Sequence, residues 1–148
     1  MALRRDAEAR RAQILAAAAQ VFARYGFRGA TTRAIAQAAG VAEGTLFRYF
    51  PTKRHLLLAL FEAFIIHPIQ QQLETLETTD PQEWLERFLT ERLTAMRAHL
   101  PLMQALYQEI RTDEAVRQAF MGQIAQPFLE HVRTVLATAL QRRQRPLH

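Results

Sequence analysis

The sequence contains no cysteine, and this absence excludes whole classes of chemistry. Without thiols the chain has no disulfide, no thiolate nucleophile and no cysteine-based zinc site. Histidine does not compensate, because the five histidines are dispersed and show no metal-ligand or Ser/His/Asp spacing. We therefore predict no catalytic residue, no metal and no cofactor, and we do not expect an enzyme.

Long apolar runs are also lacking. The longest, residues 56–66, is interrupted by Glu62 and is too short to span a bilayer. The first 25 residues are charged and amphipathic, and they lack the apolar core and cleavage site of a signal peptide. Nothing after residue 50 indicates a strand. We predict an all-α, cytoplasmic protein with no membrane partner.

Lysine is scarce, and the positive charge is unevenly distributed. Lys53 is the single lysine beside eighteen arginines. Residues 1–54 hold ten basic and three acidic residues, a net charge of +7, whereas residues 55–148 hold nine and eleven, a net charge of −2. A basic N-terminal third on a mildly acidic remainder indicates a phosphate-binding module. The alternative is a solvated basic face without a partner.

Residues 31–50 have the pattern of two short helices joined by a tight turn. Thr31 and Thr32 precede an apolar-periodic run, and either hydroxyl suits a helix N-cap. Gly40 tolerates the left-handed backbone at a helix end, and Pro51 disfavours helix in the residue before it. This pattern is typical of a helix-turn-helix, although an ordinary helical hairpin shares it, and the basic charge favours the former. The residues predicted to be buried are Ile35, Ala36, Ala39, Val41, Leu46 and Phe50.

The segments FARYGFRGATT, AGV and GTLFRYF, followed by KRHL, resemble the DNA-binding domain of the tetracycline-repressor-like (TetR) transcriptional regulators. The resemblance covers about residues 10–62 and joins several spaced features. It implies a helix-turn-helix domain over residues 1–52 and a helical domain over 53–148 that binds a ligand and dimerises. The three helices expected in the first domain cover about residues 8–25, 32–38 and 42–49.

The resemblance also implies a surface that binds double-stranded DNA. Thr32 and Arg33 lie near DNA, base edges meet the start of the third helix, and Lys53 contacts a phosphate. Phe47 and Tyr49 touch the sugar-phosphate backbone. The full set of expected DNA-binding residues is Thr31, Thr32, Arg33, Glu43, Gly44, Thr45, Phe47, Arg48, Tyr49 and Lys53.

Several of these roles have alternatives. Arg33 either forks onto a guanine or pairs with a phosphate, and Glu43 either accepts from a cytosine amino group or stabilises its helix N-terminus. Lys53 is either a phosphate contact or plain surface charge. The chain departs from many relatives at Ala42, where a capping serine is missing, and at Phe47, which replaces a tyrosine.

The remaining chain is predicted to be helical. A fourth helix runs from about residue 53 into the 70s, with a kink at His67-Pro68. Asp80-Pro81 opens a helix over about 81–98, and Leu100-Pro101 opens another to about 111. Thr112 or Asp113 caps a last long helix that bends at Pro127.

In the family this region binds a small effector, here apolar or amphipathic. The expected ligand-binding residues are either pocket residues or ordinary core and surface side chains; they are Phe64, His67, Trp84, Phe88, Met96, His99, Met103, Tyr107 and Met121. Relatives usually continue into two further helices that form a four-helix dimer bundle, whereas this chain stops at RRQRPLH. We expect either a truncated chain or dimerisation through the helix ending near Ala139.

The function expected from these features is a sequence-specific, ligand-responsive regulator, a repressor that binds a palindromic operator as a homodimer. The alternative is an architectural or non-specific DNA-binding protein without an effector. One protected palindrome in a footprint supports the regulator, and uniform coverage supports the alternative.

Overall fold

A computed structural model of the protein describes residues 1–144, which form nine α-helices and two π-helical turns and contain no strand. The all-α prediction is confirmed. The final residues of RRQRPLH, 145–148, lie outside the described part. The elements in chain order are α1 (Ala2–Gly29), α2 (Thr32–Ala39), α3 (Glu43–Tyr49), α4 (Lys53–Phe61), π1 (Glu62–Ile66), α5 (His67–Glu74), α6 (Pro81–Ala98), α7 (Leu100–Thr112), α8 (Glu114–Phe120), π2 (Met121–Ala125) and α9 (Gln126–Gln144).

The first helix begins earlier than predicted but is interrupted where predicted. α1 starts at Ala2 rather than near residue 8, through a charged segment that has no apolar periodicity. An Arg4–Glu8 ion pair spans one helical turn there, exposed and therefore weak. Gly26 breaks the helical geometry with φ 72° and ψ 171°, a region essentially restricted to glycine.

The described chain forms two compact units. The first contains Met1–Phe61 together with Leu100–Glu109. The second contains Glu62–His99 together with residues 110–144. These are packing units, and the functional division at 52/53 stays a prediction.

The core of the first unit is built from the inner faces of α1, α2, α3 and α4. Ile14, Ile35, Leu46, Leu56, Leu57 and Leu60 are completely buried. The predicted burial of Ile35, Ala36, Ala39, Leu46 and Phe50 is confirmed. Val41 is only half-buried, contrary to the prediction, because the turn around Gly40 runs along the surface.

Aspartate caps open two helices of the second unit, α6 and α8. Asp80 accepts from the N–H groups of Gln82 and Glu83, and Asp113 accepts from those of Ala115 and Val116. The predicted cap choice between Thr112 and Asp113 is thereby decided for Asp113. Leu73, Val116 and Ile124 are buried in this unit, whereas α6 and α9 contain no buried residue. Leucines therefore remain exposed along both helices: Leu85, Leu89 and Leu93 on α6, and Leu129, Leu136 and Leu140 on α9.

Both prolines expected to disturb a helix follow a π-helical turn. Pro68 lies just after π1 and Pro127 just after π2, at the same distance from the end of each turn. A proline cannot donate to the carbonyl four residues earlier, and its ring crowds that carbonyl. The wider π register relieves this conflict, so the helix continues through each proline instead of ending there.

The helical run Lys53–Glu74 has the extent that the sequence predicted for the fourth helix. Its 22 residues make it, by length and composition alone, the one described helix that is able to cross a membrane. The apolar run 56–66 is only the middle part of this helix, which extends beyond it at both ends. Leu56, Leu57 and Leu60 are nevertheless completely buried in the protein, as a core helix requires, so the run is weak support for a membrane span.

Candidate nucleic-acid interface

The turn between α2 and α3 is fixed by backbone hydrogen bonds. Thr31 is the N-cap of α2, and its hydroxyl accepts from the N–H of Ala34 at 3.0 Å. Gly40 ends α2 in the left-handed conformation with φ 70° and ψ 31°. The N–H of Val41 then donates to the carbonyl of Ala36 at 3.0 Å, which holds the turn against the helix it follows. The two helices thus enter and leave the turn in a defined geometry.

The short helix α3 has one face in the core and the opposite face in solvent. Leu46 and Phe50, four positions apart, are buried. Phe47 is 41% exposed, and Gly44 and Arg48 are exposed as well. Because residues four apart share a helix face, Gly44 and Arg48 lie on one solvent-facing strip. Ala42 stands at the N-cap without a side-chain bond, as its residue type dictates.

The structure leaves all ten expected DNA-binding residues at least partly accessible. Thr31, Arg33, Gly44, Phe47 and Arg48 are exposed, and Thr32, Glu43, Thr45, Tyr49 and Lys53 are half-buried. None belongs to the core, so an approaching duplex meets side chains and not a covered surface. Their roles in binding stay predictions.

The first turn of α4 carries positive charge, whereas the N-terminus of a helix favours negative charge. The first turn of α4 holds Lys53, Arg54 and His55 and no acidic residue. Cations at a helix N-terminus are unfavourable, by about 0.3–1 kcal/mol each at exposed positions. An arrangement that costs stability in this way suits a surface that meets anions. Thr52 caps the helix through its hydroxyl, which accepts from the N–H of His55 at 3.3 Å and contacts His55 Nδ1 at 2.7 Å.

Glu43 is the one acidic residue among the ten expected DNA-binding residues, and it has a partner within residues 1–54, called the head below. The Thr32 hydroxyl donates to its Oε2 at 3.5 Å, a long hydrogen bond that links the first turns of α2 and α3. The sequence did not predict this contact, because 11 residues separate the two side chains. It leaves both residues half-buried and in reach of solvent.

The Lys53 side chain is hydrogen-bonded to main-chain carbonyls of the protein itself. Its ammonium donates to the carbonyls of Phe27 at 2.8 Å and Ala30 at 2.9 Å, and it lies 4.8 Å from the centre of the Phe27 ring. The sequence suggested a phosphate contact or plain surface charge, and neither anticipates this arrangement. A lysine ammonium has three N–H donors, so one is not used by these two carbonyls.

Two further residues of α1 hold the helix-turn-helix and were missed from sequence. Gln13 donates through Nε2 to the carbonyl of Ala39 at the end of α2. The guanidinium of Arg11 lies 5.0 Å from the centre of the Phe50 ring, at the end of α3. Local sequence gave no signal for either contact, because 26 residues separate Gln13 from Ala39.

The residues expected to bind a ligand are divided between the two units, and their role stays a prediction. Phe64 stacks on His99 with 4.9 Å between ring centres, and Trp84 stacks on Phe88 at the same spacing. His67, Met96, Tyr107 and Met121 are exposed, Phe64, Trp84, Phe88, His99 and Met103 are half-buried, and Met103 and Tyr107 belong to the first unit.

A cleft in the second unit includes one of these residues. It has a volume of about 250 Å³ and lies between α5 and α6, where Trp84, Gln72, Arg87 and Glu91 line it. Trp84 Nε1 donates to the carbonyl of Gln72 at 2.8 Å, which fixes the indole at the wall. The Gln72 side-chain oxygen is buried without a hydrogen-bond partner in the protein.

These features define a class of protein. A basic helical head that presents one face of a short helix after a glycine turn is a helix-turn-helix DNA-binding module. Within that class, the chain belongs to the TetR family of transcriptional regulators: residues 14–60 match the bacterial regulatory proteins, tetR family. The sequence-based recognition of the family is confirmed.

Two curated relatives are repressors by name. The chain is 32% identical over 116 residues to the HTH-type transcriptional repressor KstR of Rhodococcus jostii, a match that covers 78% of this chain and 54% of the relative. It is 26% identical over 141 residues to the HTH-type transcriptional repressor AcnR of Corynebacterium diphtheriae, covering 94% and 66%. The chain thus spans about half the length of the KstR relative.

Solved structures share the fold. A TetR-family transcription regulator from Shewanella is 32% identical, with a TM-score of 0.52, and the match covers 87% of this chain and 71% of that one. A TetR-family regulator from Mesorhizobium loti superposes with a TM-score of 0.71 at 16% identity, covering 92% and 70%. The second likeness concerns the fold alone.

Proposed function

We propose that this protein is a sequence-specific DNA-binding transcriptional regulator of the cytoplasm, a ligand-responsive repressor that binds a palindromic operator as a homodimer. One observation carries the proposal: the outer face of α3 is open to solvent, and its flanks, the first turns of α2 and α4, carry positive charge. The names of the repressor relatives support the direction of regulation.

In this proposal α3 enters the major groove with its N-terminal end first. Gly44 and Thr45 face base edges, and Arg33 reads a guanine or grips a phosphate beside them. Phe47, Arg48 and Tyr49 lie along the sugar-phosphate backbone. Leu46 and Phe50 are buried, Arg11 of α1 lies against the Phe50 ring, and Gln13 of α1 holds the end of α2, so α3 is supported from behind. A rigid support is what base recognition requires.

Two copies are needed for a palindrome. In a dimer the two α3 helices would lie about 34 Å apart, in successive major grooves on one side of the duplex. The exposed leucines of α9 support self-association, because a row of apolar side chains in water favours a covering surface.

An effector would act through differential affinity. A small apolar or amphipathic molecule in the second unit, with Trp84 and Phe88 as stacking partners, would favour one spacing of the two heads. If the operator fits only the other spacing, binding of the molecule releases DNA. The cleft beside Trp84 is the place in the second unit where we would seek the molecule first.

The proposal is tested by selecting duplexes from a random library with the purified protein and sequencing them. We expect one enriched inverted repeat whose half-sites are about one helical turn apart. Enrichment of no sequence, with binding to every duplex, would instead identify an architectural protein. The matched variants are Arg33→Glu with Arg48→Glu in the head, and Arg97→Glu with Arg133→Glu in the second unit. Only the head pair should abolish enrichment.

A further inference from the structure

We propose that Lys53 is a positioning residue for DNA recognition. Its side chain connects the start of α4 to the end of α1, and it thereby holds in place the first residues of α2, which follow directly in the chain. The inference rests on the proposed function, since it concerns how the DNA-facing ends of these helices are held. It goes beyond a phosphate contact, because the ammonium acts here on the protein's own backbone.

The first step is the placement of the ammonium. Lys53 stands at the first position of α4, where the positive end of the helix dipole repels a cation. The side chain turns away from that end and reaches main-chain carbonyls in the segment that follows the Gly26 kink at the end of α1. There it finds the Phe27 and Ala30 oxygens at 2.8 and 2.9 Å. The location is one where a lysine cap is favourable.

The second step is the path of the chain between these carbonyls. Gly26 has left the helical conformation, so residues 27–29 form a separate short helical turn beyond a kink in α1. Ala30 is buried, and its N–H donates to the Gly26 carbonyl at 3.1 Å. The next residue is Thr31, the N-cap of α2, followed by Thr32 and Arg33. A bond to the Ala30 carbonyl therefore holds the chain one residue before the DNA-facing end of α2.

The third step is the choice of lysine in a chain that otherwise uses arginine. The ammonium is a compact group whose donors diverge, so two carbonyls and the Phe27 ring share it. A guanidinium stacked on the same ring would hold its N–H groups in the plane of the stack and away from those carbonyls. The Phe27 ring is itself fixed, 5.6 Å from the ring of buried Phe22.

Lys53→Arg separates a phosphate contact from a positioning role. It keeps the positive charge but loses the hydrogen bonds to the Phe27 and Ala30 carbonyls. A residue that only contacts a phosphate tolerates this change, since arginine binds phosphate well. A positioning residue does not. Phe27→Leu is the second variant: it leaves Lys53 and all charges in place and removes one side of the ammonium's site. Arg10→Lys is the control for a charge-conserving exchange on the exposed part of α1.

The first measurement is hydrogen exchange of the free protein, which needs no DNA. We expect faster exchange of the amides of residues 27–34 in Lys53→Arg, a smaller increase in Phe27→Leu, and none in Arg10→Lys. The second measurement is affinity for the selected duplex and for random duplex, at a temperature where circular dichroism shows every variant folded. We expect Lys53→Arg to lose about tenfold for the selected duplex, the scale of one base contact, with random binding nearly unchanged.

The outcomes separate cleanly. Unchanged exchange in Lys53→Arg overturns the proposed hold of Lys53 on residues 27–34, whatever the DNA results are. Faster exchange with an unchanged ratio of selected to random affinity overturns the positioning role and leaves a local cap. If the unmodified protein selects no duplex, the proposed function fails, and exchange alone still decides whether Lys53 holds residues 27–34.

Discussion

Gly44 lies in the first turn of α3 with open space where a side chain would stand. Its helical backbone needs no glycine, so Gly44→Ala should raise the free energy of unfolding by about 0.5–1 kcal/mol. The added methyl group would occupy the surface that we assign to the DNA. We therefore expect weaker binding of the selected duplex from a more stable protein, measured by fluorescence anisotropy and by urea unfolding.

Gly122 provides the matched control, because it also has nothing within 4 Å of the added carbon and lies far from the head in sequence. Gly122→Ala should leave DNA affinity unchanged. If Gly44→Ala binds DNA as tightly as the unmodified protein, the N-terminal end of α3 is not the part that approaches the bases.

Arg33 is exposed at the start of α2 and has no hydrogen-bond or ion-pair partner within residues 1–144. For Arg33→Ala we expect relaxed sequence preference, with about 1–3 kcal/mol of discrimination lost at one base pair if the guanidinium reads guanine. Repeating the duplex selection with the variant measures this directly. An unaltered consensus with uniformly weaker binding would make Arg33 a backbone contact, and Arg133→Ala on α9 should change neither.

Single residues differ in how far the sequence predicts them. The roles of Gly40 and Asp80 follow from local chemistry, since a left-handed helix end and an N-cap involve only adjacent residues. The partners of Lys53 lie 26 and 23 residues away, and they depend on the path that Gly26 gives the chain. Contacts of that kind require the fold, so the sequence suggested charge at Lys53 without its partners.

At the scale of the element, α3 lacks a side-chain cap. Ala42 has φ −70° and ψ 151°, the extended conformation that an N-cap residue adopts. Ala42→Ser should therefore stabilise the protein by about 1 kcal/mol without other change, because its hydroxyl accepts from a free N–H of the first turn. Urea unfolding monitored by circular dichroism tests the prediction.

Ala38→Ser controls for the new hydroxyl itself. Ala38 is exposed within α2, where serine is a poorer helix former and caps nothing, so that variant should lose a few tenths of a kcal/mol. Equal effects of the two serines would show that α3 gains nothing from a cap.

Helix existence was predictable where glycine, proline and capping residues punctuate the chain. The segments from α2 to α4 and the starts of α6, α7 and α8 follow these signals. The start of α1 was not predictable, because LRRDAEAR has no apolar face to mark a helix. Pro68 and Pro127 predicted that the helix would be distorted, but they did not say whether by a kink or by a π-helical turn. Both relieve the same clash between the proline ring and the carbonyl four residues earlier.

At the scale of the whole molecule, the uncovered leucines of α9 have a measurable effect. If two copies cover them, the unfolding midpoint should rise with protein concentration, because association stabilises only the folded chain. Leu136→Glu combined with Leu140→Glu should remove this dependence and shift sedimentation to the monomer. Leu3→Glu, at a site that is 86% exposed on α1, should do neither. A concentration-independent midpoint in the unmodified protein would contradict the dimer.

Lys53 carries the single side-chain amine of the sequence, so amine-modifying reagents can report on this one site. Acetic anhydride should react slowly with it while the Phe27 and Ala30 oxygens hold the amine, and quickly once those bonds open. The acetylated Lys53 peptide, measured by mass spectrometry apart from the acetylated N-terminal amine, would then report how often these hydrogen bonds open. The acetyl group also removes the positive charge and two of the three N–H donors of the amine. The acetylated protein would therefore have permanently lost the two hydrogen bonds from Lys53 to the Phe27 and Ala30 carbonyls.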